Sequence, residues 1–270
     1  MNEISSKELN FAGVPRTMVI TMLARARETR SSHPVIQDKI ALEMENKIKD
    51  LFPTDKSDWK TGTGVIVRTT ILDDYVGEYI KQNPDAVCIN IGCGLDTRFF
   101  RLNNGRIKWY DIDLPEVIAL REKLVGEHRQ VSMIGCDMFD SQWTQQIEDE
   151  ERPVLIIMEG ILMYFDAEDV KKVLEIAHAR FKNAALILEL LSDKVVGNTK
   201  MAKSIQKSGA TFKWGVQSGK DVEKLFPQIR FLKEMNLVDR MYLKSGIYKV
   251  LAKIPPIRKL SNRIAVFKFI

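Results

Sequence analysis

The chain has 270 residues, long enough for one large α/β domain or a domain with a lid. Hydrophobic residues make up 45% and charged residues 29%, ordinary globular values, and no apolar run approaches the ~20 residues that a membrane span needs. The formal net charge is +5, too small to imply a polyanionic partner without a local pattern to support it.

The N-terminus, Met1-Asn-Glu-Ile-Ser-Ser-Lys7, lacks the basic-then-apolar order of a signal peptide. Val14-Pro15-Arg16-Thr17 can start a helix through Met18, Met22 and Ala26. A second helix is expected from Ile36 to Ile48, with Asp38 near its start, after the break at Arg30-Ser-Ser-His-Pro34. Leu51-Phe-Pro-Thr-Asp55 reads as a turn. A longer helix, roughly 64–81, carries Val65, Ile66, Ile71, Leu72, Val76 and Ile80 near helical spacing.

From there strands and helices alternate, the mark of a parallel sheet. Strands are expected at 87–91, 107–111, 131–136, 153–158 and 184–190, with helices at about 114–125, 141–149 and 167–182 between them. Pro115 opens the first of these helices and Asp166 caps the last. Residues 193–226, with Gly197, Gly209, Gly215 and Gly219, break the alternation and read as an insertion lid. Residues 229–238 and 263–269 form a final strand pair around a basic segment. The expected organisation is one domain: a helical cap over 1–82, a nucleoside-binding core over 83–192, the lid over 193–226 and the C-terminal strand pair over 227–270.

Between Arg240 and Ile270 there are eight Lys or Arg and no Asp or Glu. Such a surface could attract an acidic partner, but its cations are not interleaved with aromatics as a nucleic-acid groove requires. A solvated helix face and a lysine-protected edge strand account for it, so neither nucleic acid nor a membrane is an expected partner. Cys88, Cys93 and Cys136 are an odd set suited to a reducing cytoplasm. His33, His128 and His178 share no close spacing with one another or with cysteines, so no metal site is expected.

The chemistry gathers where strands end. Val87 to Ile91 meets Gly92-Cys93-Gly94, a turn over which a ligand can approach bare backbone. The next strand ends in Asp111-Ile-Asp113, and Asp113, just before the helix opened by Pro115, is the better placed carboxylate for ribose hydroxyls. The following strands end in Cys136-Asp137-Met138 and in Met158-Glu159-Gly160. Asp137 could accept from an adenine amino group or simply form a turn. Glu159, an acid after four Val/Leu/Ile positions and before glycine, is poorly explained by packing. Thr97 stands where a dinucleotide fingerprint needs its third glycine. That disfavours a pyrophosphate, and with it a nicotinamide-dependent oxidoreductase, and favours a nucleoside without phosphates such as S-adenosylmethionine.

Together Arg68 with Asp73-Asp74, the run Asn90 to Arg98 with Arg101-Leu102, Asp113-Leu-Pro-Glu-Val117 with Arg121, and Glu159-Gly-Ile-Leu-Met-Tyr164 resemble the leucine carboxyl methyltransferase superfamily, in its bacterial branch of tetracenomycin-type polyketide O-methyltransferases. The resemblance spans about residues 14 to 240. It implies a class I, Rossmann-like methyltransferase fold and S-adenosylmethionine as methyl donor. It also implies that Arg68 binds the donor carboxylate, Gly92 and Gly94 cradle it, Asp113 holds the ribose, and Asp137, Met138 and Glu159 surround the rest. The acceptor is then the carboxylate or phenolic oxygen of a small molecule, with a protein C-terminal carboxylate as the rival and a non-catalytic nucleoside-binding protein as the alternative of another class. A carboxylate needs no base; for a phenol the side chains at hand are Tyr164 or His178. Phe212-Lys-Trp-Gly215 is a candidate wall of the acceptor pocket, with core packing as the other reading of Trp214.

Overall fold

A computed structural model describes residues 14–48, 59–148, 151–197 and 211–270. Seven strands form one sheet in the order β3-β2-β1-β4-β5-β7-β6. Strands β1 (Val87–Ile91), β2 (Lys108–Asp113), β3 (Val131–Gly135), β4 (Val154–Met158) and β5 (Ala185–Leu190) pair in parallel. The hairpin of β6 (Ile229–Asn236) and β7 (Arg263–Phe269) adds to β5 antiparallel, which makes the sheet mostly parallel with helices on both faces. Strands β1 and β4 are buried along their whole length, as continuous apolar runs between two helical layers must be.

Two apolar layers fill the space on either side. One face packs against α3 (Trp59–Gln82) through Val67, Ile71, Leu72, Val76 and Ile80. The other packs against α7 (Ala167–Arg180) through Val170, Val173, Leu174 and Ala177, with Trp143 and Phe181 beside them. A third cluster joins α1 (Val14–Thr29) and α2 (Lys39–Ile48) to α5 (Pro115–Val125), using Met18, Met22, Met44, Ile48, Leu120 and Leu124. The first two helices thus sit over the carboxyl ends of β1 and β2.

Local signals set most boundaries. Pro115 occupies the first turn of α5, where its missing N–H costs nothing. Asp166 caps α7 by accepting from Asp169 N at 3.0 Å. Asp38 does the same for α2 through Ala41 N at 2.9 Å, so that helix begins at Lys39 rather than Ile36. Helix α3 begins at Trp59, earlier than expected. The helix expected at 141–149 is only α6 (Gln142–Gln145), bracketed by the turn-forming Asp140 and by Ile147, which drops into the core. A short α4 (Arg98–Leu102) follows the glycine turn. Within the expected lid, α8 (Gly219–Leu225) carries a full capping box from Ser218 and Asp221. The expected turn at 51–55 and residues 198–210 of the lid lie outside the described residues.

Candidate functional site

The turn after β1 is built on two left-handed glycines, Gly92 at φ 68° and Gly94 at φ 48°. A Cβ at Gly94 would stand 3.0 Å from Met18 Cβ, so the glycine admits α1 directly over the turn. Gly94 N donates to Asp113 Oδ2 at 2.8 Å and Leu114 N to Asp113 Oδ1 at 2.8 Å. Burial raises the Asp113 pKa, and these two amide bonds oppose the rise only in part. Asp111 points the other way and is fully buried. It accepts from Asn90 Nδ2 at 3.0 Å, from Trp109 Nε1 at 2.9 Å and from Arg121 Nη2 at 2.6 Å, tying β1, β2 and α5 together. Of the two acids ending β2, only Asp113 faces the open space.

Beyond β4 an ionic network assembles from distant segments. Arg68 on α3 stands between Glu159 after β4 and Glu189 in β5: Nε lies 2.7 Å from Glu159 Oε1 and Nη1 3.0 Å from Glu189 Oε2. The other oxygen of Glu159 is held by Arg98 Nη2 at 2.7 Å. Arg98, 1% exposed, also reaches Asp96 at 2.6 Å and Asp73 at 2.8 Å. Arg101 shares Asp73 at 2.7 Å and extends to Asp38 at 3.1 Å, where Arg25 and Thr97 also converge at 2.9 and 2.5 Å.

Burial by itself would raise the carboxyl pKa values here. For Glu159 the guanidinium groups of Arg68 and Arg98 outweigh burial and hold it low; for Asp38, Arg25 and Arg101 do so. Glu189 ends on the other side, raised by burial that Arg68 only partly offsets. Arg68 is held charged by Glu189 and Glu159 against the same desolvation.

Arg25, Arg68, Asp96, Glu159 and Glu189 of this network line a cavity of about 370 Å³ at the carboxyl edge of the parallel sheet, within the usual range for small-molecule sites. Arg68, Gly92, Gly94, Asp113, Asp137, Met138 and Glu159 all face it, as does Tyr164. Asp137 is exposed, and its Oδ1 accepts from Phe139 N at 3.0 Å, so it forms a turn and still offers an oxygen to the cavity. Ile112, Leu114, Met138, Phe139 and Ile161 give apolar walls. Phe212 also lines the cavity, its ring tilted against that of Tyr164 with centroids 5.5 Å apart, whereas Trp214, half-buried, packs against the core. His178 is elsewhere, wedged between Phe226 and Phe269, and cannot serve as a base here. Tyr164 shares a hydrogen bond with Thr17, and burial raises its phenol pKa.

Sequence reasoning missed Glu189, although Ala185-Leu-Ile-Leu-Glu189 repeats the apolar-run-then-acid signal that marks Glu159. It also missed Asn262, which lines the cavity from the start of β7 and carried no local signal.

The donor set fits an adenosyl sulfonium amino acid. Arg68 could meet its carboxylate and Glu159 its ammonium; Asp113, in a buried setting that favours hydrogen bonding to a diol, could meet the ribose. Asp137 and the apolar walls could take the adenine. Residues 18–178 match the family described as leucine carboxyl methyltransferase. The chain is 29% identical over 236 residues to the tetracenomycin polyketide synthesis O-methyltransferase TcmP of Streptomyces glaucescens, covering 87% of each chain. It is 26% identical over 267 residues to the S-adenosyl-L-methionine-dependent methyltransferase dpfgK of Gibberella zeae, covering 91% of this chain and 89% of that one.

Among solved structures, a DUF574 family protein from Streptomyces avermitilis shares the fold at TM-score 0.59 and 12% identity, over 92% of this chain and 97% of that one. Magnesium protoporphyrin IX methyltransferase from Synechocystis, solved with bound S-adenosylhomocysteine, shares it at TM-score 0.52 and 12% identity, over 86% of this chain and all (100%) of that one. The chain belongs to the leucine carboxyl methyltransferase family and is an S-adenosylmethionine-dependent O-methyltransferase.

Proposed function

We propose that the chain methylates the ionised carboxylate of a small, largely apolar acceptor, with a phenolic oxygen as the second choice, and that Arg68, Gly92, Gly94, Asp113, Asp137, Met138 and Glu159 hold the donor. The observation that carries this reading is the convergence of all seven on a single cavity roofed by α1. A polyketide, the class named for the Streptomyces relative, matches the aromatic rim of Tyr164, Phe165 and Phe212.

S-adenosylmethionine supplies an electrophilic methyl group on a positively charged sulfur. The protein's part is to orient, to exclude water and to leave the acceptor oxygen charged. A carboxylate, with a reference pKa near 4, is already ionised at neutral pH. The groups in the cavity suit such an acceptor better than a phenol. Tyr164, its pKa raised by burial, stays protonated, and Glu189 is engaged by Arg68 and by the backbone of Gly160. Neither is a free base. Positioning then does most of the work, worth up to ~7–11 kcal/mol in model systems. Exclusion of water by the bound donor and acceptor would also favour a reaction that annihilates charge. Three free cysteines support a reducing, cytoplasmic setting.

The test is transfer of labelled methyl to a panel of matched carboxylic acids and phenols as a function of pH. A carboxylate acceptor gives kcat/KM that is flat from about pH 6 upward, whereas a phenol acceptor gives a rate rising toward its pKa near 10. Labelling of protein C-termini in preference to both would contradict the small-molecule reading.

A further inference from the structure

Most of the large apolar side chains that reach solvent lie in one connection. Among the described residues, Tyr242, Leu243, Ile247, Val250, Ile254 and Leu260 are at least 37% exposed, all between β6 and β7; only Leu232 and Ile270 join them from elsewhere. Single exposed apolar residues are ordinary, but six in one connection make a patch that wants a partner.

The connection is helical, with α9 (Tyr248–Leu251) and α10 (Pro255–Leu260) at its centre. Backbone bonds run on from Tyr248 N to Ser245 O at 3.1 Å through Ile254 N to Leu251 O at 3.1 Å. At 3.6 residues per turn, Ile247, Val250 and Ile254 share one face, with Lys249 and Lys253 on the flank.

Its charges divide into two sets. Arg240, Lys244 and Arg258 are ion-paired with Asp74, Glu28 and Asp239. Lys249, Lys253 and Lys259 are exposed and have no carboxylate partner among the described residues. From Arg240 to the end of the chain there is no acidic residue at all.

We propose that this connection docks on an anionic lipid surface, with Ile247, Val250 and Ile254 entering the acyl boundary and Lys249, Lys253 and Lys259 meeting lipid phosphates. Aliphatic side chains flanked by uncompensated lysines are the pattern of an interfacial segment. A protein partner is a poorer fit, because lysine is depleted from protein–protein interfaces. A second copy is poorer still, because a two-fold contact would set the same cations against each other.

The patch also adjoins the cavity. Ser192 Oγ donates to Lys259 O, Asn262 lines the cavity, and Lys244 holds Glu28 on α1, the helix that roofs it. Docking would bring the cavity close to acceptors dissolved in the bilayer.

Flotation of the full chain with vesicles of phosphatidylcholine alone, and of phosphatidylcholine mixed with phosphatidylserine, tests this. Binding to the mixed vesicles only, weakened by salt, is expected. Lys249→Gln, Lys253→Gln and Lys259→Gln together should lower partitioning roughly a hundredfold, about fivefold for each lysine. Ile247→Ser with Val250→Ser should also lower it. Both variants should keep the wild-type melting temperature and the wild-type heat of S-adenosylhomocysteine binding, which separates docking from misfolding and from the donor site. No flotation, flotation indifferent to these substitutions, or a dimer that they dissolve would each overturn the proposal.

Discussion

Asp113 has both oxygens engaged by backbone amides, one in the glycine turn and one at the start of α5, so it joins the two loops that frame the cavity. Replacing it removes a charged acceptor where the ribose is proposed to sit. Asp113→Ala should weaken S-adenosylhomocysteine binding by about ten- to a hundredfold, from roughly 1.5–3 kcal/mol for a charge-assisted bond, as read by calorimetry. Gly94→Ala acts differently, since it forces a left-handed alanine against Met18. It should cost about 1–3 kcal/mol in urea unfolding and weaken binding as well. Residues at strand ends could be read from sequence because topology alone puts them on one rim; Glu159, Asp113 and the glycines are of this kind. Arg68 was reached only through the family resemblance, since an arginine on a helix is by itself most often at the surface. One of its two carboxylate partners, Glu189, lies 121 positions away.

Beside their apolar contacts, α1, α2, α3 and α4 share a chain of buried ion pairs. Asp38, 1% exposed at the cap of α2, gathers Arg25 from α1 and Arg101 from α4, and Arg101 leads through Asp73 and Arg98 to Glu159. This chain of pairs fixes the helical cap relative to the cavity. Removing the Asp38 charge leaves the buried Arg25 without its carboxylate, while Arg101 keeps Asp73. Asp38→Asn should therefore cost about 3 kcal/mol or more in chemical denaturation, while Arg68→Lys should leave folding less affected and weaken donor binding. The helices themselves were readable from periodicity and caps, as Pro115 and Asp166 illustrate. Their ends were less so: α2 starts where Asp38 finds Ala41 N, a bond no spacing rule demands.

For the molecule as a whole, buried carboxylates give acid sensitivity a defined sign. Asp38, Asp96 and Glu159 have folded pKa values held below their unfolded ones, against burial, by neighbouring arginines. Such groups contribute stability that is present above the unfolded value near 4 and is lost as pH falls through the folded value. Asp113 and Glu189, raised by burial, work the opposite way, losing stability as pH rises through their unfolded values. The melting temperature should thus fall from about pH 5 downward, and an Asp113→Asn variant should fall more steeply. The parallel sheet was evident in the alternation of apolar runs and helical periods. The acceptor's identity was not, because the cavity lining beyond the strand ends includes Thr17, Tyr164, Phe212 and Asn262, from four segments with no shared pattern.

A crystal structure of the chain with S-adenosylhomocysteine tests the central claim most directly. The expected density places the ribose diol on Asp113, the adenine beside Asp137 and Met138, and the amino-acid head between Arg68 and Glu159. Density for the ligand anywhere else, or a cavity left empty at saturating ligand, would contradict it.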